Sequence, residues 1–174
     1  TVFRSHRLKA IDQLFVQATA AWSPEHESQH SCFNRYIKKY GVFHMLRVGA
    51  MSQLETRISD VSYMSELSRA WASAIEPLSI WRIVGLDKLK TVYLQAAGNL
   101  PTKKEAVTES MVDTIAGFNI LLYEGAFYDV ALPFCEWTWS AKIHLKGEEH
   151  PDTVVAYSDL GIIYQHLGRY QEAE

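Results

Sequence analysis

Apolar residues recur every three to four positions along almost the whole chain, which is the period of an amphipathic α-helix. No stretch alternates between apolar and polar residues for long enough to predict a β-strand. The pattern therefore predicts an all-α fold of eight or nine helices joined by short turns. Four stripes carry this signal most clearly: Leu8, Ile11, Leu14, Phe15, Ala18 and Trp22; Phe33, Tyr36, Ile37 and Tyr40; Val61, Met64, Leu67, Trp71 and Ile75; and Leu86, Leu89, Val92, Tyr93 and Ala96.

Short polar motifs and glycines indicate where these helices begin and end. Two segments, Ser52-x-x-Glu55 and Thr102-x-x-Glu105, fit the capping box, in which side chains satisfy free amides of the first helical turn. Glycine is common just after a helix because it adopts the left-handed backbone conformation without steric cost. Four glycines are predicted to mark helix ends: Gly41, Gly49, Gly85 and Gly98.

The composition excludes several classes of protein. The 174 residues have a net charge of -3, with acidic and basic residues mixed, which argues against nucleic-acid binding and against a polybasic membrane anchor. No apolar run approaches the roughly 18 residues of a membrane-spanning helix, and no signal peptide is expected. Cys32 and Cys135 are too few for a disulfide framework, so we expect two buried thiols in a reducing compartment, the cytoplasm.

The last third of the chain contains an internal repeat with an offset of 42 positions, which aligns Phe118 with Leu160 and Ala131 with Ala173. The second copy fits the spacing L-G-x-x-Y-x-x-x-G-x-Y-x-x-A. In such a pattern small residues let two helices approach closely, aromatic residues fill the space between them, and a glycine makes the turn. The residues expected in these roles are Tyr128, Ala131, Leu160, Gly161, Tyr164, Gly168, Tyr170 and Ala173.

This spacing resembles the tetratricopeptide repeat, and the connecting segment resembles the kinesin light chain variant of that repeat. The variant has a longer period than the usual ~34 residues and carries an L-G-x-x-H-P-D segment. Residues 145–152 are similar to it, with Lys146 as one inserted residue, and Pro151 suits the first turn of a helix. The resemblance covers about residues 106–174 and implies antiparallel helix pairs stacked into an α-solenoid.

In a solenoid the first helices of successive pairs line a concave surface that binds extended ligands. The family often has asparagine before the L-G pair, where it holds a peptide backbone, whereas this chain has Gly117 and Asp159. With Glu124, Asp159 favours a basic protein or peptide partner. The expected function is therefore a protein–protein interaction module without a catalytic step or a cofactor. The resemblance places eight residues on its binding surface: Ile120, Tyr123, Glu124, Ser158, Asp159, Ile162, Gln165 and His166.

A second resemblance lies upstream, in Arg35-Tyr36 and His44-Met45-Leu46. These residues are similar to an R-Y-x7-H-L pattern in the helical linker of STAND-class NTPases, signalling ATPases that include NLR-type receptors. The nucleotide-binding motif G-x-x-x-x-G-K-[ST] is absent from the sequence. This resemblance implies an alternative function, as the regulatory region of such an ATPase. We expect two domains: a helical domain at 1–100, which is either a helix bundle or a set of degenerate helical repeats, and tetratricopeptide-like repeats at 101–174, the second of them truncated.

The segment His26-Glu27-Ser28-Gln29-His30 fits H-E-x-x-H, the zinc-binding signature of many metalloproteases. A catalytic zinc needs a third protein ligand, and Phe33 stands where the extended motif has glycine. The histidines also follow Pro24 closely, which predicts a solvated first turn rather than a buried helix. We therefore expect no metal here, with a zinc metallopeptidase as a further alternative.

Two other candidates for catalysis are not expected to act. His44 is predicted to be a core histidine bonded to a backbone carbonyl. Cys135 and His144 are nine residues apart on one predicted helix, too far for a hydrogen bond.

The second repeat is predicted to lack most of its second helix, since only Glu174 follows Ala173 in the sequence. We therefore expect a fragment of a longer repeat protein whose last helix leaves an apolar face uncovered and self-associates. That face contains Tyr157, Leu160, Ile163, Tyr164 and Leu167.

Overall fold

The computed structural model describes residues 2–21, 31–70 and 75–173, which are helical apart from short connections. No β-strand occurs within these ranges, so the all-α prediction is confirmed. The helices are α1 (Val2–Ala20), α2 (Ser31–Val48), α3 (Met51–Ile58), α4 (Val61–Ala70), α5 (Ile75–Val84), α6 (Leu86–Gly98), α7 (Glu109–Glu124), α8 (Tyr128–Lys146) and α9 (Pro151–His166), with a short 3-10 helix (Lys104–Ala106) before α7.

The helices form two compact units, Thr1–Val84 and Gly85–Glu174. The first unit contains α1 to α5, and the second contains α6 to α9. The division falls before α6, which packs against α8, whereas the sequence pattern placed the boundary after α6.

In the first unit α1 and α2 approach each other closely at Thr19 and Gly41. A Cβ atom on Gly41 would lie 2.0 Å from the hydroxyl oxygen of Thr19, so the contact requires glycine. Gly41 therefore lies inside α2 and not at a helix end, and this part of the glycine prediction is wrong. Gly49 and Gly85 do follow helix ends, with φ of 74° and 112°.

Arg57 on α3 holds the end of α1. Its Nε donates to the carbonyl oxygen of Thr19 at 2.9 Å, and its Nη2 donates to the same oxygen. The guanidinium also lies 4.7 Å from the centre of the Tyr63 ring. The last carbonyls of a helix have no partner within that helix, so a buried arginine satisfies an acceptor that would otherwise be costly to bury.

The buried sides of the first two helices differ from the predicted apolar stripes. On α1 the buried residues include Asp12, Val16 and Thr19. The contact between Thr19 and Gly41 helps to set this rotation of the helix. Five members of the predicted stripes are exposed instead: Ile11, Leu14, Phe33, Tyr36 and Tyr40.

In the second unit α8 packs against both α7 and α9. The ammonium of Lys146, at the end of α8, lies 3.8 Å from Glu109 at the start of α7. It also lies 2.6 Å from Asp152 at the start of α9. The helix α8 therefore runs in the opposite direction to both of its neighbours.

Aromatic rings join the helices of the second unit. The Phe118 ring meets Tyr93 of α6 edge-on at 4.8 Å between ring centres, and Phe134 of α8 at 5.3 Å. All three side chains are almost completely buried. An ion pair of 3.0 Å between Lys90 and Asp129 lies at the surface of the same contact between α6 and α8.

The helices α7 and α9 have the same length and begin in the same way. Each has 16 residues, and α9 begins at Pro151, 42 positions after Glu109. The residue before each helix, Thr108 or His150, accepts a hydrogen bond from a backbone amide of the first turn. Such a cap satisfies one of the free amides at a helix start.

The turns that follow these two helices also correspond at this offset. Ala126 has a φ of 59°, and Gly168, 42 positions later, has a φ of 74°. The next amide in each turn bonds to a carbonyl five residues earlier, from Phe127 in the first turn and from Arg169 in the second, both at 2.9 Å. This is the geometry of a Schellman turn, which satisfies carbonyls at a helix end.

Two predicted helix starts are displaced. The N-cap of α3 is Ala50, so Ser52 lies inside the helix instead of capping it. A 3-10 helix follows Thr102, and Thr108 caps α7 by accepting from the amide of Met111 at 3.2 Å.

The face of α9 that was predicted to be uncovered is in part buried. Leu160 and Ile163 are only 4% and 2% exposed, because α8 packs against α9. The prediction of an uncovered face is therefore wrong for these two residues. Tyr157 is 49% exposed, as expected, and its neighbour Val154 is also exposed.

Replacing Gly41 with alanine should destabilise the chain by about 1–3 kcal/mol, because the added methyl group overpacks the contact with Thr19. Inside a helix alanine is otherwise favoured over glycine by about 1 kcal/mol. Gly98→Ala is the matched control, since a Cβ there meets nothing within 4 Å and no stability should be lost. Urea unfolding followed by circular dichroism measures both variants. Equal stability of the two would contradict the close approach of α1 and α2.

Ala126→Gly should stabilise the chain by about 0.5–1 kcal/mol. The left-handed conformation costs a residue with a side chain about 1–2 kcal/mol, and glycine adopts it freely. As a control, Ala116→Gly inside α7 should lose about 0.5–1 kcal/mol, since glycine is unfavourable there. If both variants lose stability to the same extent in thermal unfolding, the turn is not left-handed at residue 126.

Candidate partner-binding groove

An open groove of about 330 Å³ lies between α7 and α9, with α8 as its floor. The two walls approach each other at one end, where the Tyr123 hydroxyl lies 3.4 Å from Nε2 of His166. The groove is lined by Ala116, Asn119, Ile120, Tyr123 and Glu124 of α7, by Cys135, Thr138 and Lys142 of α8, and by Ala156, Asp159, Ile162 and Ile163 of α9.

The walls of the groove carry exposed apolar side chains. Ile120 and Tyr123 of α7 are 57% and 42% exposed, and Ile162 of α9 is 40% exposed. Single exposed apolar residues are common on protein surfaces. Three on the two sides of one concave surface are typical of a binding site.

Charged groups lie among these apolar residues. The carboxylates of Glu124 and Asp159 have no hydrogen-bond or ion-pair partner within the residues that the structure describes. Partial burial raises the pKa of Asp159, and the positive charge of Lys142 acts in the opposite direction. Lys142 itself donates to the backbone carbonyl of Asp152 at 3.2 Å, at the start of α9.

The lining of the groove contains polar atoms without partners among the described residues, one on α7 and one on α8. Asn119 Oδ1 and Thr138 Oγ1 are buried and have no hydrogen-bond partner in the described ranges. Such atoms are rare in folded proteins, and each costs about 1–3 kcal/mol. Beside them burial raises the pKa of the Cys135 thiol to about 12, and the nearby carboxylates of Asp159 and Glu136 add to this shift.

Five of the eight residues predicted to bind a partner line this groove: Ile120, Tyr123, Glu124, Asp159 and Ile162. Ser158, Gln165 and His166 are exposed on α9 but do not line the groove. The His166 ring stacks on Tyr128 with 4.2 Å between ring centres and 8° between ring planes. A role of these eight residues in binding stays a prediction.

The residues with predicted roles in the repeat differ in their environment. Ala131 and Leu160 are buried. A Cβ on Gly161 would be in ordinary contact, 3.5 Å from the carbonyl oxygen of Ala173, so no tight contact occurs there. Tyr170 was predicted to fill the space between two helices but is 68% exposed, because residues 170–172 form a turn and not a helix.

Polar contacts in the loop before α9 position one wall of the groove. The helix begins at Pro151, as the sequence predicted. Thr153 is almost completely buried and donates to the carbonyl oxygen of Gly147 at 2.8 Å. Further along, the Tyr164 hydroxyl donates to Glu136 of α8 at 2.9 Å. These bonds hold α9 against α8 at both ends of their contact.

A polar cluster around the buried residues Asp12 and His44 joins α1 to α2 in the first unit. Nδ1 of His44 lies 2.6 Å from Oδ1 of Asp12, and Nη2 of Arg47 lies 2.5 Å from the same oxygen. Nε2 of His44 lies 3.0 Å from the Tyr36 hydroxyl, so the predicted bond to a backbone carbonyl is replaced by these two side chains. Burial acts to raise the pKa of Asp12, but the hydrogen bonds from His44 and Arg47 outweigh it and lower this pKa.

The HESQH segment, with His26, Glu27 and His30, lies outside the described residues, so the expected absence of zinc there stays a prediction. Within the described ranges no group of three or more histidine, cysteine, aspartate or glutamate side chains could hold a metal ion. None of the described helices combines the length and the apolar character needed to cross a bilayer.

The two cysteines have opposite environments. Cys32 is exposed, contrary to the prediction that both thiols are buried, and Cys135 is buried. The sequence placed both cysteines in helical patterns, but Cys32 lies beside Phe33 at the start of α2, and both side chains are exposed.

Iodoacetamide at pH 8 should therefore alkylate Cys32 and leave Cys135 unmodified in the folded chain. Only the thiolate form of cysteine reacts. Because the pKa of Cys135 is about 12, only a very small fraction of its side chain is thiolate at pH 8. Intact mass spectrometry should show one adduct in buffer and two in urea, and Cys32→Ser should remove the adduct formed in buffer. Two adducts forming at similar rates in buffer would contradict the burial of Cys135.

Comparisons of the chain with protein-family models, with curated proteins and with solved structures gave no match.

Proposed function

We propose that this chain is a helical-repeat module of the α-solenoid type that binds a segment of another protein between α7 and α9. The observation that carries the proposal is the groove with its exposed apolar walls, Ile120, Tyr123 and Ile162. Its volume of about 330 Å³ falls in the range of ligand-binding clefts, about 300–1,000 Å³. The proposal includes no catalytic step and no cofactor.

The correspondence between α7 and α9 supports the repeat. Both helices have 16 residues, a side-chain cap and a left-handed turn at the same offset. In tandem helix pairs the first helices of successive pairs lie side by side and line one surface. On this interpretation α7 and α8 form the first pair, and α9 is the first helix of the next.

A second candidate function is the regulatory region of a STAND-type ATPase. It is favoured by the contact between Tyr36 and His44, the residues of the upstream motif, which lie 3.0 Å apart from hydroxyl to Nε2. A P-loop domain encoded by the same gene would then bind this chain and be displaced by a peptide that occupies the groove. Under the first candidate no such binding is expected.

The peptide-binding function is tested by selecting a display library of random dodecapeptides on the purified chain. Selected peptides are then measured in solution by fluorescence polarisation. Ile162→Ser should weaken their binding about tenfold, because it removes apolar contact area from one wall of the groove without adding a charge.

The matched control is Val154→Ser. Val154 is a β-branched residue on the same helix and is similarly exposed, but it does not line the groove and points away from it, so the same substitution should leave the affinity unchanged. If no selected peptide distinguishes Ile162→Ser from Val154→Ser, the groove is not the binding site.

A further inference from the structure

Three residues that line the groove between α7 and α9 carry hydrogen-bond acceptors without a partner among the described residues. Asn119 Oδ1 is buried without a partner, and the carboxylate of Asp159 has neither a hydrogen bond nor an ion pair among the described residues. The Thr138 hydroxyl, which also lacks a partner within the described ranges, can accept as well as donate. A ligand that supplies donors would satisfy groups that the chain itself leaves unpaired.

We propose that the groove takes the cationic side chain of a lysine or arginine carried by the bound protein segment, with its charged head at Asp159, Asn119 and Thr138. This inference rests on the proposed function, since it names the chemistry of the partner of the same site. An ammonium or guanidinium group carries only donors, so it complements a set of acceptors.

The apolar walls fit the rest of such a side chain. Lysine and arginine bury their aliphatic stems along apolar surface while the charged head reaches a polar group. Ile120 on one side of the groove and Ile162 on the other are exposed and offer this surface. Asp159 lies on the same helix as Ile162, about one helical turn before it.

The alternatives fit the lining less well. An anionic side chain would meet the carboxylates of Glu124 and Asp159. An uncharged apolar segment would cover Asp159 and leave Asn119 Oδ1 unpaired, and burying an unpaired charge is costly. Lys142 lines the groove as well and its charge acts on Asp159, but its ammonium donates to the carbonyl of Asp152 and forms no ion pair with Asp159 in the described ranges.

The test uses the dodecapeptides selected on the chain. We expect lysine or arginine to be enriched among them at one position. Each such peptide is compared with a matched neutral peptide, with norleucine in place of lysine or citrulline in place of arginine. The cationic peptide should bind about tenfold or more tightly than its neutral match at low salt, and the difference should shrink as salt screens the charges.

Asp159→Asn should remove most of this preference. It should lower the affinity for the cationic peptide about tenfold, while the affinity for the neutral peptide should change by less than about threefold. Asp113→Asn is the control, since it makes the same change of charge on α7 at an exposed residue that does not line this groove. An equal effect of Asp113→Asn and Asp159→Asn would overturn the proposal.

A second measurement separates binding from folding. Thr138→Val and Asn119→Leu replace unpartnered polar atoms with apolar groups of similar shape, so the melting temperature should stay the same or rise. Both variants should nevertheless bind the cationic peptide several-fold more weakly. Variants that lose stability and keep their affinity for the cationic peptide would show that these residues are structural.

The two proposals can fail separately. Peptides that lose affinity for the Ile162→Ser variant but show no preference for lysine or arginine would overturn the cationic pocket and leave the peptide-binding function intact. A library in which no peptide loses affinity for Ile162→Ser would overturn both proposals.

Discussion

The second unit depends on the burial of α8 against two helices at once. Its buried residues are Val130, Ala131, Phe134, Cys135, Thr138 and Ala141, and they give α7 and α9 each a side on which to pack. Because both neighbours run opposite to α8, they lie parallel to each other, with α8 beneath the space between them. The part of α8 that faces this space carries the small residues Cys135 and Thr138, which do not fill it. The groove is thus a consequence of how α8 is buried.

Polar contacts decide details that apolar burial leaves open. Burial of apolar surface is not directional, so it favours contact between two helices without choosing their rotation. In the first unit Asp12 pairs with His44 and Arg47, and Arg57 bonds to the carbonyl of Thr19. These bonds turn polar residues of α1 towards α2 and α3 and leave Ile11 and Leu14 exposed. In the second unit the bond from Thr153 to Gly147 plays a similar part at the start of α9.

The proposed function combines two kinds of surface in one groove. The apolar walls supply contact area for many sequences, which favours binding without selecting a particular partner. The acceptors of Asn119, Thr138 and Asp159, which have no partner in the described part of the chain, supply selection, because a partner without a suitable donor leaves them buried and unsatisfied. The buried polar atoms of Asn119 and Thr138 lower the stability of the unbound chain, and a bound ligand that donates to them would offset this loss.

The sequence by itself determined the features that depend on neighbouring residues. The helical period predicted an all-α chain, and the offset of 42 positions anticipated the matching starts of α7 and α9, because capping and turn geometry involve only a few consecutive residues. The resemblance to a repeat family, and not helical spacing, put Ile120 and Ile162 on one predicted surface, and both residues line the groove. Only the tertiary structure decided the rotation of α1, the exposure of Cys32, the polar partners of His44 and the unpaired atoms of Asn119 and Thr138. Each of these depends on which side chain of a distant segment comes into contact, and no local pattern in the sequence specifies that contact.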